Sequence, residues 1–439
     1  MLKLVLLVLL VGQGAWAQRR PGSGQQGSAS VPSNYKFTNL EIEIYKKILE
    51  RNGDNSVTFS PFSIRTLLAM VKEGCVGKTK TDLEEAIGET SGIERVLAYP
   101  PRGGLTMGNV CYLSNALDIN EQFKDTLLGK YHAEFQYADF NRPRSAAYNI
   151  NEWVRRITNK GIQELIKPDV LSPESVFMMI NAIHLSAKWK QPFDSLNTKQ
   201  GVFYESEGNK LVPKLAPIMH QYGYFKMGQV ESLNAKVIEL PFTVPDKHSM
   251  YIVLPNEKNG LKKLIQDLKA ESLREILQSL VRSVELTLCL PKFKLSTTET
   301  LRTILPQKVA SIFGANAQIT GISHNNNVQL TDMLHRADLN VDEEGATGSA
   351  ATAVHAVLLS NSPPLYFNAS HPFLYFITQQ TGESRYSAPG QFATAPDNLE
   401  IYFMGHVSKL DNSVSIAAES DTRSQQPQRF DGNVERRRN

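Results

Sequence analysis

Hydrophobic and polar positions alternate along the stretch from residue 341 to residue 373, which reads VDEEGATGSAATAVHAVLLSNSPPLYFNASHPF. Residues 346–359 contain neither a charged residue nor a proline. One alternate set is small or apolar throughout, and it consists of Ala346, Gly348, Ala350, Thr352, Val354, Ala356 and Leu358. This period of two fits a half-buried strand, because successive side chains of a strand face opposite sides of a sheet. The same composition fits an exposed loop, so the stretch suggests a switch, with an ordinary strand beside a turn as the alternative.

Helical spacing of apolar residues dominates the first part of the chain, and strand-like runs dominate the second. The predicted helices cover residues 40–51, 64–72, 80–87, 122–130, 146–158, 261–267, 272–277 and 298–305. The predicted strands cover residues 57–59, 109–113, 176–185, 237–242, 249–255, 284–291, 373–378 and 400–404. Helices that come before most of the strands predict an α+β architecture built on large, mostly antiparallel sheets.

The first 17 residues have the three parts of a secretion signal. Lys3 supplies the positive end, residues 4–11 form a short apolar run, and Ala15 and Ala17 flank Trp16 in a cleavage pattern. The apolar run is too short to span a bilayer. We therefore expect residues 1–17 to be a signal peptide and the mature protein to be secreted and extracellular.

Both ends of the mature chain are polar and lack hydrophobic periodicity. Residues 18–34 are rich in Gly, Ser, Gln and Arg, and residues 418–439 end in three arginines, Arg436, Arg437 and Arg438. These compositions predict a disordered lead-in and a disordered basic tail. The tail can bind polyanions, although a solvated tail is the simpler interpretation. One folded domain is expected over residues 35–417.

Composition and charge narrow the function classes. Hydrophobic residues make up 41% of the 439 residues and charged residues 21%, which is ordinary for a globular protein. The net charge of +3 argues against nucleic acid or a membrane as the partner. The three cysteines are few for a secreted protein and sit among apolar neighbours, so buried thiols are expected rather than disulfides.

No enzyme motif stands out in the sequence. G-x-S-x-G, H-E-x-x-H, C-x-x-C and phosphate-cradling glycine loops are all missing, and no two of the nine histidines have metal-ligand spacing. His335 lies in an apolar-flanked, strand-like run, where a hydrogen-bonded core histidine is more common than a catalytic base. We expect no enzymatic activity, no metal and no cofactor.

Several separate motifs, in order, resemble those of the serpin family. They are the segments SPFSI at 60–64, NINEWV at 149–154, NAIH at 181–184 with Trp189, PKFK at 291–294, the stretch 341–354, HPF at 371–373 and FMG at 403–405. The resemblance covers nearly all of residues 35–417. It implies the serpin fold, with three β-sheets, about eight or nine helices and an exposed reactive-centre loop.

The resemblance implies a suicide inhibitor of an extracellular serine protease. The protease would cut the loop and form an acyl-enzyme through its own catalytic triad. The cut loop would insert as a new strand in the main sheet and trap the protease. The protein would act as a monomer. The alternative is a non-inhibitory serpin with a carrier, storage or chaperone role, since Ala346 and Gly348 replace the usual threonine and alanine of the family.

The resemblance also assigns roles to residues. The hinge of the loop would comprise Glu343, Glu344, Gly345, Ala346, Thr347, Gly348, Ser349 and Ala350. Sheet opening would be gated by Ser60, Ser63, Asn181 and His335, with Trp189 covering the point where insertion begins. The bond after Leu359, joining it to Ser360, is the predicted reactive bond, with Leu358 and Asn361 as alternative positions.

Two further expectations concern the partner and modification. A leucine before the reactive bond favours a chymotrypsin-like or elastase-like protease, and no Arg or Lys lies between Gly345 and Pro372 to suit a trypsin-like one. The sequence Asn368-Ala369-Ser370 is a glycosylation site, so Asn368 is expected to carry a glycan.

Overall fold

The computed structural model describes residues 38–98, 104–208, 210–243, 248–280, 282–324, 328–345, 365–380 and 399–415. The α-helices in these ranges are α1 Asn39–Asn52, α2 Pro61–Glu73, α3 Gly77–Ile87, α4 Ser91–Ala98, α5 Glu121–Tyr131, α6 Pro143–Ile157, α7 Leu261–Asp267, α8 Ser272–Ser279, α9 Leu301–Ile304 and α10 Gln307–Ala310. The strands are β1 Val57–Phe59, β2 Leu105–Ser114, β3 Glu134–Ala138, β4 Phe177–Leu185, β5 Lys199–Glu207, β6 Lys210–Val230, β7 Ala235–Pro241, β8 His248–Pro255, β9 Arg282–Pro291, β10 Phe293–Thr300, β11 Asp332–Val341, β12 Leu365–Asn368, β13 Phe373–Gln380, β14 Leu399–Val407 and β15 Val414–Ser415.

A five-stranded sheet has the order β10-β11-β4-β2-β3. Its β11–β4 and β2–β3 pairs are parallel and its other two pairs are antiparallel. Helix α6 covers one face of this sheet, where Ile150 and Trp153 are buried with Ile180 and Leu334. The opposite face belongs to the main hydrophobic core, which includes Ile64 of α2. The central strands are therefore buried between helices on both sides.

The second sheet is larger and owes its extent to one long strand. Its order is β1-β14-β13-β8-β7-β6-β9-β12, with β5 and β15 also paired to β6. β6 is 21 residues long and pairs with β5 near its start, with β9 along its middle and with β7 at its end. A single strand thus joins two groups of strands, so the expected three sheets form two hydrogen-bonded sheets in the described residues.

Most predicted elements are present, one predicted helix begins later than expected, and the elements that were not predicted are α4, α10, β3, β5, β6, β10 and β12. Strand β1 covers the predicted residues 57–59, and α7 covers the predicted 261–267. The helix predicted over 298–305 begins only at Leu301, because Thr298, Glu299 and Thr300 pair with β11 as the end of β10. The three cysteines are free and buried, which confirms the expectation of thiols rather than disulfides.

Helix α2 is held by a buried arginine. Arg65 is 3% exposed, and its guanidinium lies 3.5 Å from a Glu41 carboxylate oxygen on α1 and 3.8 Å from one of Glu400 on β14. It also donates to the carbonyl oxygens of Ile87 and Glu89 at 3.3 and 3.2 Å. Burial raises the pKa of Glu41, although the Arg65 charge opposes the shift. Arg65 therefore fixes the helix whose first residues enter the candidate site.

We expect Arg65→Met to destabilise the protein strongly. The substitution leaves two buried carboxylates without their counterion, which costs about 3–5 kcal/mol in comparable buried networks. Urea unfolding followed by circular dichroism measures the change. The control is Arg142→Met, whose guanidinium is 81% exposed beside an Asp139 that is 41% exposed, and it should cost at most about 1 kcal/mol. Equal losses in the two variants would contradict the anchoring role of Arg65.

Candidate functional site

The parallel seam between β4 and β11 is the centre of the candidate site. Eight residue pairs join the strands, from Met178 opposite Asp332 to Leu185 opposite Leu339. Parallel pairing is slightly less stable per residue than antiparallel pairing. Just beyond β11, Gly345 forms a bridge with Lys188, which follows β4. The chain therefore leaves the seam beyond the Leu185–Leu339 pair, which marks its upper end, and enters segment 346–364. This segment is outside the described residues.

A buried histidine ties the seam to helix α2. His335 on β11 is fully buried, and its Nε2 accepts a hydrogen bond from the backbone N–H of Ser60 at 2.8 Å. The ring proton therefore lies on Nδ1, which donates to Oδ1 of Asn181 on β4 at 3.0 Å. Asn181 in turn donates to Oδ1 of Asn109 on β2 at 2.9 Å. Burial lowers the pKa of His335 to about 3, so the ring stays neutral and can accept.

The two predicted serines near this histidine contribute through their backbone and through capping. The Ser60 hydroxyl accepts from the backbone N–H of Ser63 at 3.1 Å and so caps α2, while its own N–H reaches His335. The Ser63 hydroxyl is buried and has no hydrogen-bond partner among the described residues. The link from α2 to the seam thus passes through a main-chain N–H rather than through either hydroxyl.

An aromatic cluster closes the upper end of the seam. Trp189 is 3% exposed and stacks on Phe242, with ring centroids 4.5 Å apart and an interplanar angle of 8°. Its indole Nε1 donates to the carbonyl of Asp342 at 2.9 Å, and its backbone N–H donates to the carbonyl of Glu344 at 2.7 Å. Trp189 therefore lies over the end of β4 and fixes the main chain that follows β11.

The start of the predicted hinge is held by polar contacts. The Glu343 carboxylate accepts from the Thr198 hydroxyl at 2.7 Å and pairs with the Lys292 ammonium at 2.7 Å. Burial raises the pKa of Glu343, but the hydrogen bonds from Lys292 and Thr198 outweigh it, so the pKa is lowered. At Gly345 a Cβ atom would lie 2.0 Å from the Ala187 carbonyl oxygen, so the close approach of the two chains there requires glycine.

The described residues bring together much of the predicted site. Glu343, Glu344 and Gly345 lie beside Trp189 at the upper end of the seam, and Ser60, Ser63, Asn181 and His335 lie in its lower half. The remaining hinge residues, from Ala346 to Ala350, lie outside the described residues, as do the reactive-bond candidates Leu358, Leu359, Ser360 and Asn361. Asn368 is exposed on β12.

Four residues of the site were not predicted: Asn109, Thr198, Phe242 and Lys292. Asn109 had a signal, since it is a polar residue within a predicted apolar strand. Lys292 lies in the PKFK motif, but nothing in the sequence pairs it with Glu343, which is far away along the chain. Thr198 contacts Glu343 and Phe242 contacts Trp189, and both contacts join segments that are far apart in the sequence.

A family model described as serpin (serine protease inhibitor) matches residues 35–388 of the chain. The chain belongs to the serpin family. Antichymotrypsin-2 of Bombyx mori is 31% identical over 351 residues, which cover 77% of this chain and 92% of that protein. The leukocyte elastase inhibitor of Bos taurus is 30% identical over 356 residues, covering 77% and 93% of the two chains. Relatives of this serpin are thus named as protease inhibitors.

Solved serpin structures confirm the α+β fold class. Serpin48 of Tenebrio molitor matches with a TM-score of 0.70 and 26% identity, covering 85% of this chain and 96% of that one. Serpin-12 of Manduca sexta matches with a TM-score of 0.70 and 27% identity, covering 85% and 98%.

The comparisons correct one prediction made from the sequence. The expectation that this serpin has no enzymatic activity is corrected to what the findings address. The family match and the relatives' names concern protease inhibition, and they do not address other activities. Within the described residues, none of the helices combines the length and the apolar character that crossing a membrane requires. No cluster of three or more metal-ligand side chains occurs in that part of the chain either.

We expect a measurable coupling between Glu343 and Lys292. A double-mutant cycle with Glu343→Gln and Lys292→Gln should give about 0.5–1 kcal/mol at pH 7, since the side chains are 14% and 33% exposed. Because the folded pKa of Glu343 lies below its ordinary 4.5, this contribution is present above pH 4.5 and is lost as pH falls through the folded pKa. Urea unfolding measures the cycle.

The control cycle uses Lys263 and Asp267, whose side chains are 75% and 39% exposed, and it should give a coupling near zero. A Glu343–Lys292 coupling no larger than this control would contradict the role of the pair in holding the hinge.

His335 should make the stability of the seam depend on pH. Its folded pKa of about 3 lies below the ordinary 6.5, so the unfolded state binds more protons between these values. Stability is therefore complete above pH 6.5 and falls as pH drops toward 3, by on the order of 2 kcal/mol at pH 4.5. His335→Gln should reduce the difference in urea-unfolding free energy between pH 7.5 and 4.5 by that amount. The control is His324→Gln, which removes a histidine from an exposed site, and a pH effect as large as that of His335→Gln would contradict the assignment to the buried ring.

Proposed function

We propose that this serpin is a secreted suicide inhibitor of an extracellular serine protease that works by inserting its loop into the β4–β11 seam. The observation that carries the proposal is the direction of the chain at Gly345. β11 runs upward to Val341, the chain turns, and β4 runs parallel to β11. A segment that folds back from Gly345 between the two strands would be antiparallel to both. One parallel pair would then be exchanged for two antiparallel pairs, which are more stable per residue.

The composition of residues 346–359 supports insertion. Below its first residues, an inserted strand would be buried on both faces, because α6 covers one side of the sheet and the main core covers the other. An unpaired charge there would cost several kcal/mol, and this stretch contains none. Ala346 and Gly348 are small enough to pass between two strands, although Gly348 weakens strand propensity. The hinge from Glu343 to Ala350 would close into the seam first.

The proposed reactive bond joins Leu359 to Ser360, with Leu358 and Asn361 as alternative positions. A leucine before the bond suits an apolar primary pocket, so the proposed target is chymotrypsin-like or elastase-like. The names antichymotrypsin and elastase inhibitor among the relatives support this class of target. β12 begins at Leu365, only a few residues beyond the proposed bond. A bound protease would therefore lie close to the edge of the larger sheet.

Secretion and modification complete the proposal. Residues 1–17 would be removed as a signal peptide, residues 18–34 and 418–439 would flank the domain at 35–417 as disordered segments, and Asn368 would carry a glycan. The exposed position of the Asn368 side chain leaves room for one.

The test uses two neighbouring arginine substitutions. Ala346 belongs to the small or apolar alternate set, which the family resemblance assigns to the inward face on insertion, and Thr347 belongs to the other set, which would face outward. Ala346→Arg should abolish the complex with chymotrypsin or elastase that resists SDS and boiling, while the loop is still cut. Thr347→Arg should retain the complex, because its charge would remain on the exposed side during the first step of insertion. Gel electrophoresis after incubation with the protease measures both.

Loop cleavage in the unmodified protein should also raise its thermal unfolding temperature. Cleavage with neither a stable complex nor a rise in unfolding temperature would overturn the inhibitory proposal in favour of a carrier or storage role. Equal behaviour of the two arginine variants would overturn the assigned inward and outward sets.

A further inference from the structure

A cavity of about 490 Å³ lies between the end of α6 and the upper part of the five-stranded sheet. Its roof is the turn after α6, which includes Asn159, Lys160 and Gly161. Its floor is formed by residues of four neighbouring strands of this sheet, β2, β4, β11 and β10. The cavity therefore lies over the β4–β11 seam, on the face opposite His335. None of the contacts that hold the hinge or the buried histidine uses it.

The floor is a polar row that crosses the seam. Thr106 on β2 is the register partner of His184 on β4, which is opposite Asp338 on β11, which is opposite Ser296 on β10. Farther down the same face the sheet is apolar, with Ile180 and Leu334 packed under α6. The change from apolar to polar side chains coincides with the cavity, so its floor is suited to a polar ligand.

The charges available in the cavity are mainly positive. Lys160 and Lys294 both line it, and neither has an ion-pair partner among the described residues. Asp338 is the one acidic residue of the lining, and its Oδ1 already accepts from Arg336 Nε at 2.8 Å and from the Ser296 hydroxyl at 2.6 Å. The Arg336 guanidinium thus compensates the negative charge of Asp338. The two lysines are left to receive an anion.

His184 adds an unused polar atom. Its Nδ1 is buried and lacks a hydrogen-bond partner in the described part of the chain. A Cβ on Gly161 would lie 2.5 Å from the His184 ring, so the roof touches this side chain directly. Burial lowers the pKa of His184, Asp338 opposes the shift and Lys294 adds to it. An oxyanion beside the ring would favour protonation, and the imidazolium then carries a donor on both ring nitrogens.

We propose that this cavity binds a small oxyanion, a phosphate, sulfate or carboxylate group, across the β4–β11 seam and thereby favours the closed sheet. The lysines supply the charge and the protonated His184 ring supplies directed hydrogen bonds, while the Thr106 hydroxyl donates to the carbonyl oxygen of His184 at 3.3 Å. The volume exceeds that of a bare anion, since one water occupies about 30 Å³ of liquid. The oxyanion can therefore be free or belong to a sugar ester.

The preference for the closed sheet follows from the position of the donors and rests on the proposed loop insertion. Inserting one strand moves β4 and β11 apart by about 4.7–4.9 Å, the spacing between neighbouring strands. His184 and Lys294 lie on opposite sides of the seam and could then no longer reach one small anion. A ligand that binds one state better than the other shifts the equilibrium toward that state. Oxyanion binding should therefore slow insertion of the loop.

Isothermal titration calorimetry of the intact protein with sodium phosphate tests the site. We expect saturable binding at constant ionic strength and pH 7.5. The double variant Lys160→Gln/Lys294→Gln should weaken it at least tenfold. The matched control Lys236→Gln/Lys269→Gln removes the same charge at two exposed lysines without ion-pair partners in the described residues and should bind as the parent does. Glucose 6-phosphate in a parallel titration distinguishes a sugar ester from the free ion.

Absence of saturable binding, or equal binding by the two double variants, would overturn the site. The second measurement repeats the titration after loop cleavage, using material whose raised unfolding temperature shows that the loop has inserted. Affinity should fall at least tenfold, and an unchanged affinity would overturn the preference for the closed sheet. If cleavage does not raise the unfolding temperature, the insertion mechanism fails, whereas the titration of the intact protein still decides the site.

Discussion

The parallel pairing of β4 with β11 is the constraint on which the rest of this serpin depends. The two strands share eight residue pairs in the middle of a five-stranded sheet that is covered on both faces. In the described residues they are the one parallel pair among its central three strands, and an antiparallel strand placed between them would find hydrogen-bond partners on both sides. Under the proposed insertion of the loop, the fold would thus exchange an arrangement that is satisfied as it stands for a more favourable one.

What keeps the seam closed is a set of contacts that cross it or cap its end. His335 joins α2 to β4, Trp189 covers the upper end, and the Glu343–Lys292 pair holds the chain as it leaves β11. Each contact is modest in free energy, since partly exposed ion pairs and single hydrogen bonds contribute about 1 kcal/mol. Their placement matters more than their strength, because each must break before the strands can separate. Under the proposed insertion mechanism, a barrier of this kind would make the stability of the closed form kinetic.

The sequence predicts the helices and the apolar strands well, since their periodicity is local. Strand β6 was missed because Pro213, Pro217, Gly223 and Gly228 interrupt its pattern, although pairing with several other strands keeps it extended over 21 residues. The positions of His335, Asn181 and Trp189 followed from the family resemblance. The Glu343–Lys292 pair and the cavity beside His184 did not, because both depend on which strands become neighbours, and no local pattern carries that information.

A disulfide across the seam tests the central claim most directly. Ile180 and Leu334 are register partners on β4 and β11, so cysteines at these two positions can form a bond that prevents the strands from separating. The oxidised variant should be cut by chymotrypsin or elastase without forming a stable complex and without a rise in unfolding temperature. Reduction should restore both. A verified disulfide that leaves the stable complex intact would contradict the account, because inhibition would then proceed with the seam closed.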